Sequence, residues 1–169
     1  MAAVGRLWSH LFGISTEETR ARLDRLAGRS LLTVGHDGVA FHDLQREFVL
    51  LHTEDLSLLH ADLLAAYRAL WPPGGNSWAQ LPPDEPYIWQ QLVYHLCSAG
   101  EGTGIRVLVC DLAYIAMRCF VSGPYAAESD LRQAASLYPD HAGIGWLQRL
   151  LAQWAVSYTH LTLPTICSV

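Results

Sequence analysis

The stretch from Ser15 to Phe48, STEETRARLDRLAGRSLLTVGHDGVAFHDLQREF, decides the fold of the first third of the chain. Ser15 and Glu18 stand in the S-x-x-E spacing of a capping box, in which each side chain satisfies a free backbone amide at a helix start. This spacing predicts a helix that runs to Ala27 and ends at Gly28, a residue common just beyond helix ends. The rest of the stretch does not continue this helical pattern.

Two short apolar segments follow, and both are predicted as strands. They cover Leu31 to Val34 and Val39 to Phe41. Asp37 and Gly38 lie between them and are the residue types that adopt positive φ in a two-residue hairpin turn. The sequence therefore predicts an antiparallel hairpin here.

A second helix is predicted directly after the hairpin. Asp43 is expected to cap it, and Leu44, Phe48 and Leu51 recur at the spacing of one helical face. Helix, strand, turn, strand and helix in this order form the second half of a winged helix. We expect residues 1–53 to be a winged-helix subdomain that is truncated at its N-terminus.

The remainder of the chain is predicted to be helical. Apolar residues repeat at intervals of three and four, and loops rich in Pro and Gly separate the repeats. The predicted helices cover residues 56–70, 86–98, 105–119, 125–137 and 141–155. The predicted fold class is mostly α, with a winged-helix remnant and its two-stranded hairpin wing, followed over 54–155 by a small helical bundle or solenoid-like domain.

Two motifs resemble the NB-ARC signalling ATPases (STAND ATPases) of the apoptotic protease-activating factor type. Phe41-His42-Asp43 resembles their His-Asp motif at the end of the wing, and the stretch from Tyr87 to Leu96, YIWQQLVYHL, resembles part of the helical domain that follows. The resemblance implies that His42 contacts a nucleotide phosphate and that Asp43 orients it and caps the next helix.

The same resemblance implies what the rest of a parent protein would contain. A P-loop nucleotide-binding domain would bind ADP or ATP, a C-terminal repeat domain would act as the sensor, and the parent could form homo-oligomers. The 169 residues themselves contain no Lys, since all 11 basic residues are Arg. A P-loop needs its Lys to reach the β- and γ-phosphates, so we expect no enzymatic activity and no cofactor for the chain alone.

Composition points to further expectations about partners and location. The net charge of −5 argues against nucleic-acid binding, which depends on neutralising phosphates. No apolar run approaches the 18 or more residues that a membrane span needs. The four Cys form no C-x-x-C pair, so we interpret them as reduced thiols of a cytoplasmic protein without a metal site.

Two other functions fit parts of the sequence. A free-standing winged-helix transcription regulator is possible because Arg20, Arg22 and Arg25 lie on the first predicted helix, although nearby Glu residues are spaced to pair with them. A metal phosphohydrolase of the HD type also has a His-Asp pair, but it needs further His and Asp ligands that the sequence does not supply in that pattern.

The last segment, residues 156–169, VSYTHLTLPTICSV, has a strand-like alternation of apolar residues and Thr. It is similar to a sequence that ends unrelated conceptual translations through read-through of a sequencing adapter. We therefore expect a non-native tail that adds little to stability.

Overall fold

A computed structural model gives the fold, and it describes residues 2–35 and 38–162, with side chains up to 154. The predicted fold class is confirmed, because the described residues are mostly helical and contain one two-stranded antiparallel hairpin. The chain divides into two compact units. The hairpin unit comprises residues up to 70 together with 94–100, and the helical unit comprises 71–93 and the residues from 101 onward.

The hairpin unit begins with two helices. Helix α1 covers Ala2–Phe12 and α2 covers Thr16–Gly28. The Ser15 hydroxyl accepts a hydrogen bond from the Glu18 amide over 3.2 Å, as the capping box predicts. The reciprocal bond is replaced by an ion pair, since the Glu18 carboxylate binds Arg22 at 2.6 Å.

The hairpin lies one or two residues from its predicted position. Strand β1 covers Thr33–Gly35 and β2 covers Gly38–Ala40, with Val34 opposite Val39. Gly38 has a φ of +140°, which an L side chain rarely adopts. Asp37, the other predicted turn residue, lies outside the described residues.

Helix α3 covers Asp43–Leu51 and α4 covers Leu56–Arg68. The predicted apolar face of α3 is present in the helix, but it is not buried. Leu44 is 81% exposed, Phe48 62% and Leu51 83%. By contrast, α4 buries Leu63, Leu64, Ala66 and Tyr67.

The later helices are α5 (Pro86–Ser98), α6 (Gly102–Cys110), α7 (Leu112–Ser122), α8 (Pro124–Leu137) and α9 (Ala142–Thr162), and a 3₁₀ turn covers Trp78–Gln80. The single helix predicted over 105–119 is therefore wrong. Asp111 breaks it because its carboxylate accepts hydrogen bonds from the Ala113 and Tyr114 amides and from the Ser77 hydroxyl. This capping holds Asp111 in an extended conformation, so that a new helix starts after it.

Helix α9 is longer than predicted. The sequence predicts its end near Ala155 and a strand-like segment beyond it, whereas the helix continues to Thr162. The strand-like interpretation is corrected for residues 156–162, and residues 163–169 lie outside the described residues. That the tail is non-native stays a prediction.

The core of the helical unit is built around aromatic side chains. Trp89 is 1% exposed and stacks on Tyr114 with ring centroids 6.0 Å apart. Its indole N–H donates to the Pro82 carbonyl at 2.9 Å, which satisfies the polar edge of a buried ring. Ile105, Leu108, Leu131 and Ile144 are at most 2% exposed as well.

Candidate functional site

His42 lies between the second strand of the hairpin and helix α3. Its backbone is extended, with φ of −67° and ψ of 151°, and it forms the N-cap of α3. Its side chain makes no capping hydrogen bond and is exposed. An imidazole at this place can donate to an incoming acceptor, and the first amides of a helix have no acceptor within the helix.

Asp43 has a different position from the predicted one. The cap is His42, so Asp43 is the first residue of the helix and not the residue before it. The reason is the extended conformation of His42, which makes it the cap, so that the helix starts one residue earlier than predicted. As an acidic residue in the first turn, Asp43 still favours the helix through its dipole.

A hydrogen bond joins α3 to the segment before the hairpin, and a second one spans the hairpin. The Gln45 side-chain amide donates to the Ser30 carbonyl at 2.9 Å, and the Thr33 hydroxyl donates across the hairpin to the Ala40 carbonyl at 3.4 Å. Ser30 itself has a φ of +57°, which is uncommon for a residue other than Gly. These contacts fix the segment that carries His42, although sequence reasoning did not identify Gln45 or Ser30.

A pair of histidines joins α4 to the last turns of α5 within the hairpin unit. The Nδ1 atoms of His60 and His95 are 2.7 Å apart, so one ring donates a proton and the other accepts it. Tyr94 meets the His60 ring edge to face, with centroids 5.4 Å apart. Burial, together with the charge of His60, lowers the pKa of His95 from 6.5 to about 4. The pair is therefore neutral at pH 7. His95 is 4% exposed, and its contact with His60 joins residues 35 positions apart, so the partner was not predictable from sequence spacing.

A buried ionic network lies among the described residues of the helical unit. Arg118 donates from Nε to an Asp130 carboxylate oxygen at 2.8 Å, and the Tyr114 hydroxyl donates to the same oxygen at 2.7 Å. Burial, followed by the charge of Asp130, raises the pKa of Tyr114. The network joins α7 to α8. Because all three residues are buried, we interpret it as an interaction that stabilises the fold.

Two observations on the described part of the chain concern the alternative site chemistries. Arg22, on the helix that a DNA-binding regulator would use, is held by Glu18. Within residues 2–35 and 38–154, no group of three or more His, Cys, Asp or Glu side chains is placed to hold a metal ion. Cys97, Cys110 and Cys119 are free thiols, and burial raises the pKa of Cys97 and Cys119.

None of the described helices has both the length and the hydropathy of a membrane-spanning segment.

Comparison with known proteins places the chain in a family. Residues 56–160 match the family model of the APAF-1 helical domain, which begins at α4 and reaches into α9. No curated protein matches the chain. The matched region covers more than half of the 169 residues and contains the YIWQQLVYHL stretch. The chain belongs to the APAF-1 helical domain family.

Proposed function

We propose that this chain is a regulatory and structural part of a nucleotide-switched signalling ATPase, and that it has no catalytic activity alone. The match of residues 56–160 to the APAF-1 helical domain carries the proposal, because this domain is a non-catalytic part of a larger protein of that kind. In the proposal, residues 1–53 form the winged-helix part of the NB-ARC module and the helical domain links it to a C-terminal sensor. The location proposed for the whole protein is the cytoplasm.

His42 has the proposed role of sensing the nucleotide. Its exposed imidazole at the start of α3 supports this role. Because the side chain makes no hydrogen bond to the cap of α3, its N–H is available to a phosphate. A hydrogen bond between a His and a phosphate contributes roughly 1.5–3 kcal/mol. Asp43 would only position His42 and would not touch the phosphate, because a carboxylate in direct contact with a phosphate would repel it.

The unburied face of α3 supports the presence of further domains. Leu44, Phe48 and Leu51 expose most of their side chains, and apolar faces of this size are usually covered by a partner. The proposed partner is a P-loop domain that supplies the nucleotide site, which a chain without Lys cannot form alone. ADP would then favour a closed state in which His42 reaches the phosphate, and loss of ADP would favour an open, assembling state.

The test uses the intact parent protein with His42→Leu. Losing the hydrogen bond should raise the open population about ten- to a hundredfold, so that ADP dissociates faster and assembly increases. His52→Leu is the matched control, because His52 is another exposed histidine at the opposite end of α3. ADP release and assembly that are unchanged in His42→Leu, or changed equally in both variants, would contradict the proposed role.

A further inference from the structure

A second polar site lies in the hairpin unit, in a cavity of about 710 Å³ between α1, α2, α4 and β1. Its polar lining comes from two helices and consists of Arg6, Ser9, His10, Thr16, Thr19 and Arg20. The volume falls within the range of about 300–1,000 Å³ that is usual for small-molecule sites.

The spacing of these residues explains why they meet. Residues three and four positions apart lie on one face of a helix. On α1, Arg6 is followed at these distances by Ser9 and His10. On α2, Thr16 is followed at the same distances by Thr19 and Arg20. Small residues leave the space between the two faces open, among them Gly5 and Ala66.

Thr19 gives the cavity an unused hydrogen-bonding group. It is 3% exposed, lines the cavity, and its hydroxyl has no hydrogen-bond partner among the described residues. A Thr inside a helix commonly donates to the carbonyl four residues earlier, but the Thr19 hydroxyl does not. Because buried polar groups in native proteins are nearly always paired, this hydroxyl indicates a missing acceptor.

The charged residues that line the cavity indicate which kind of acceptor the Thr19 hydroxyl lacks. Two guanidinium groups and an imidazole lie at the cavity, and none of the described residues that line it is acidic. Guanidinium groups match phosphate oxygens with paired, charge-assisted hydrogen bonds, and a Thr hydroxyl can donate to a third oxygen.

We propose that this cavity binds a small phosphate monoester. Arg20 and Arg6 would hold the phosphate, the Thr19 hydroxyl would donate to one of its oxygens, and the body of the ligand would lie against the small apolar residues of α4, such as Ala66. The site is separate from His42, because His42 does not line the cavity. It does not depend on the proposed nucleotide role.

The test is calorimetric titration of the chain with glucose 6-phosphate, inorganic phosphate and glucose. Glucose 6-phosphate should bind with a dissociation constant of about 0.1–1 mM, inorganic phosphate more weakly, and glucose not detectably. Absence of saturable binding of glucose 6-phosphate, or binding no tighter than that of inorganic phosphate, would overturn the proposal.

Three variants locate the binding on the cavity. Thr19→Val keeps the shape of the side chain and removes the unpaired hydroxyl, so the fold should be at least as stable while binding weakens about fivefold. Arg20→Gln should weaken binding about tenfold. Arg22→Gln is the control, since Arg22 lies on the same helix but pairs with Glu18 outside the cavity. Equal affinities in Arg20→Gln and Arg22→Gln would show that the phosphate binds elsewhere.

Discussion

Helices α3 and α8 have similar sequence patterns but different surroundings. Both repeat apolar residues at helical spacing. Helix α8 buries Ala127, Leu131 and Ala134 within the helical unit, whereas α3 buries none of its residues. A periodic apolar face predicts that a helix will be covered, but it does not say whether the covering element belongs to the same stretch of chain.

The largest expected effect is on the buried network of the helical unit. Asp130→Ala should lower the free energy of unfolding by about 3–5 kcal/mol, because it leaves the Arg118 charge buried and unpaired. Urea denaturation measures the change. Arg132→Gln is the control, since Arg132 is 64% exposed and its pair with Glu128 contributes little. Equal, small losses in the two variants would mean that Arg118 finds water or another acceptor.

A matched pair of leucines tests the comparison of α3 with α8 directly. Leu131 is 1% exposed on α8 and Leu44 is 81% exposed on α3. Leu131→Ala should destabilise the chain by about 2–5 kcal/mol, and Leu44→Ala by less than about 0.5 kcal/mol. A loss of more than 1 kcal/mol or so in Leu44→Ala would show that α3 is packed in solution.

Stability should also depend on pH through the histidine pair. Burial lowers the pKa of His95 from 6.5 to about 4, so the folded state binds fewer protons than the unfolded state between these values. The contribution is present above pH 6.5 and is lost as the pH falls towards 4, by roughly 3 kcal/mol. Urea denaturation at several pH values should show this slope.

Two histidine variants isolate that slope. In His95→Gln the slope between pH 6.5 and 4 should become much shallower. In His52→Gln it should persist, because His52 is exposed at the end of α3. Identical slopes in the wild type and His95→Gln would assign the pH dependence to other groups.

The smallest effect compares two helix starts. Ser15 accepts a hydrogen bond from the Glu18 amide, whereas His42 makes no capping bond. Ser15→Ala should therefore cost about 1 kcal/mol and His42→Ala only a few tenths. Thermal unfolding of the two variants checks this order, and a larger loss in His42→Ala would mean that its side chain stabilises the isolated chain.

The sequence predicted the elements better than their boundaries and contacts. The S-x-x-E spacing gave the start of α2, and the apolar period gave α8 within one residue. The break at Asp111 was missed because an Asp within an apolar run looks like a surface residue, and its capping role depends on Ser77, which is distant in sequence.

The candidate sites show the same limit. His42 could be identified because a resemblance marked it. The contact between His60 and His95 joins residues 35 positions apart, and the phosphate cavity joins faces of separate helices. No local pattern contains such information. The i, i+3, i+4 repeats of polar residues on α1 and α2 were the only signal in the sequence, and they are equally typical of solvated faces.

The most direct test of this account is native-state hydrogen exchange of the isolated chain, resolved to single amides. The account predicts that amides of α8 exchange only with global unfolding, whereas those of α3 exchange through local openings, because none of the residues of α3 is buried. Protection in α3 equal to that in α8 would contradict the account. It would mean that the apolar face of α3 is covered within this chain and needs no further domain.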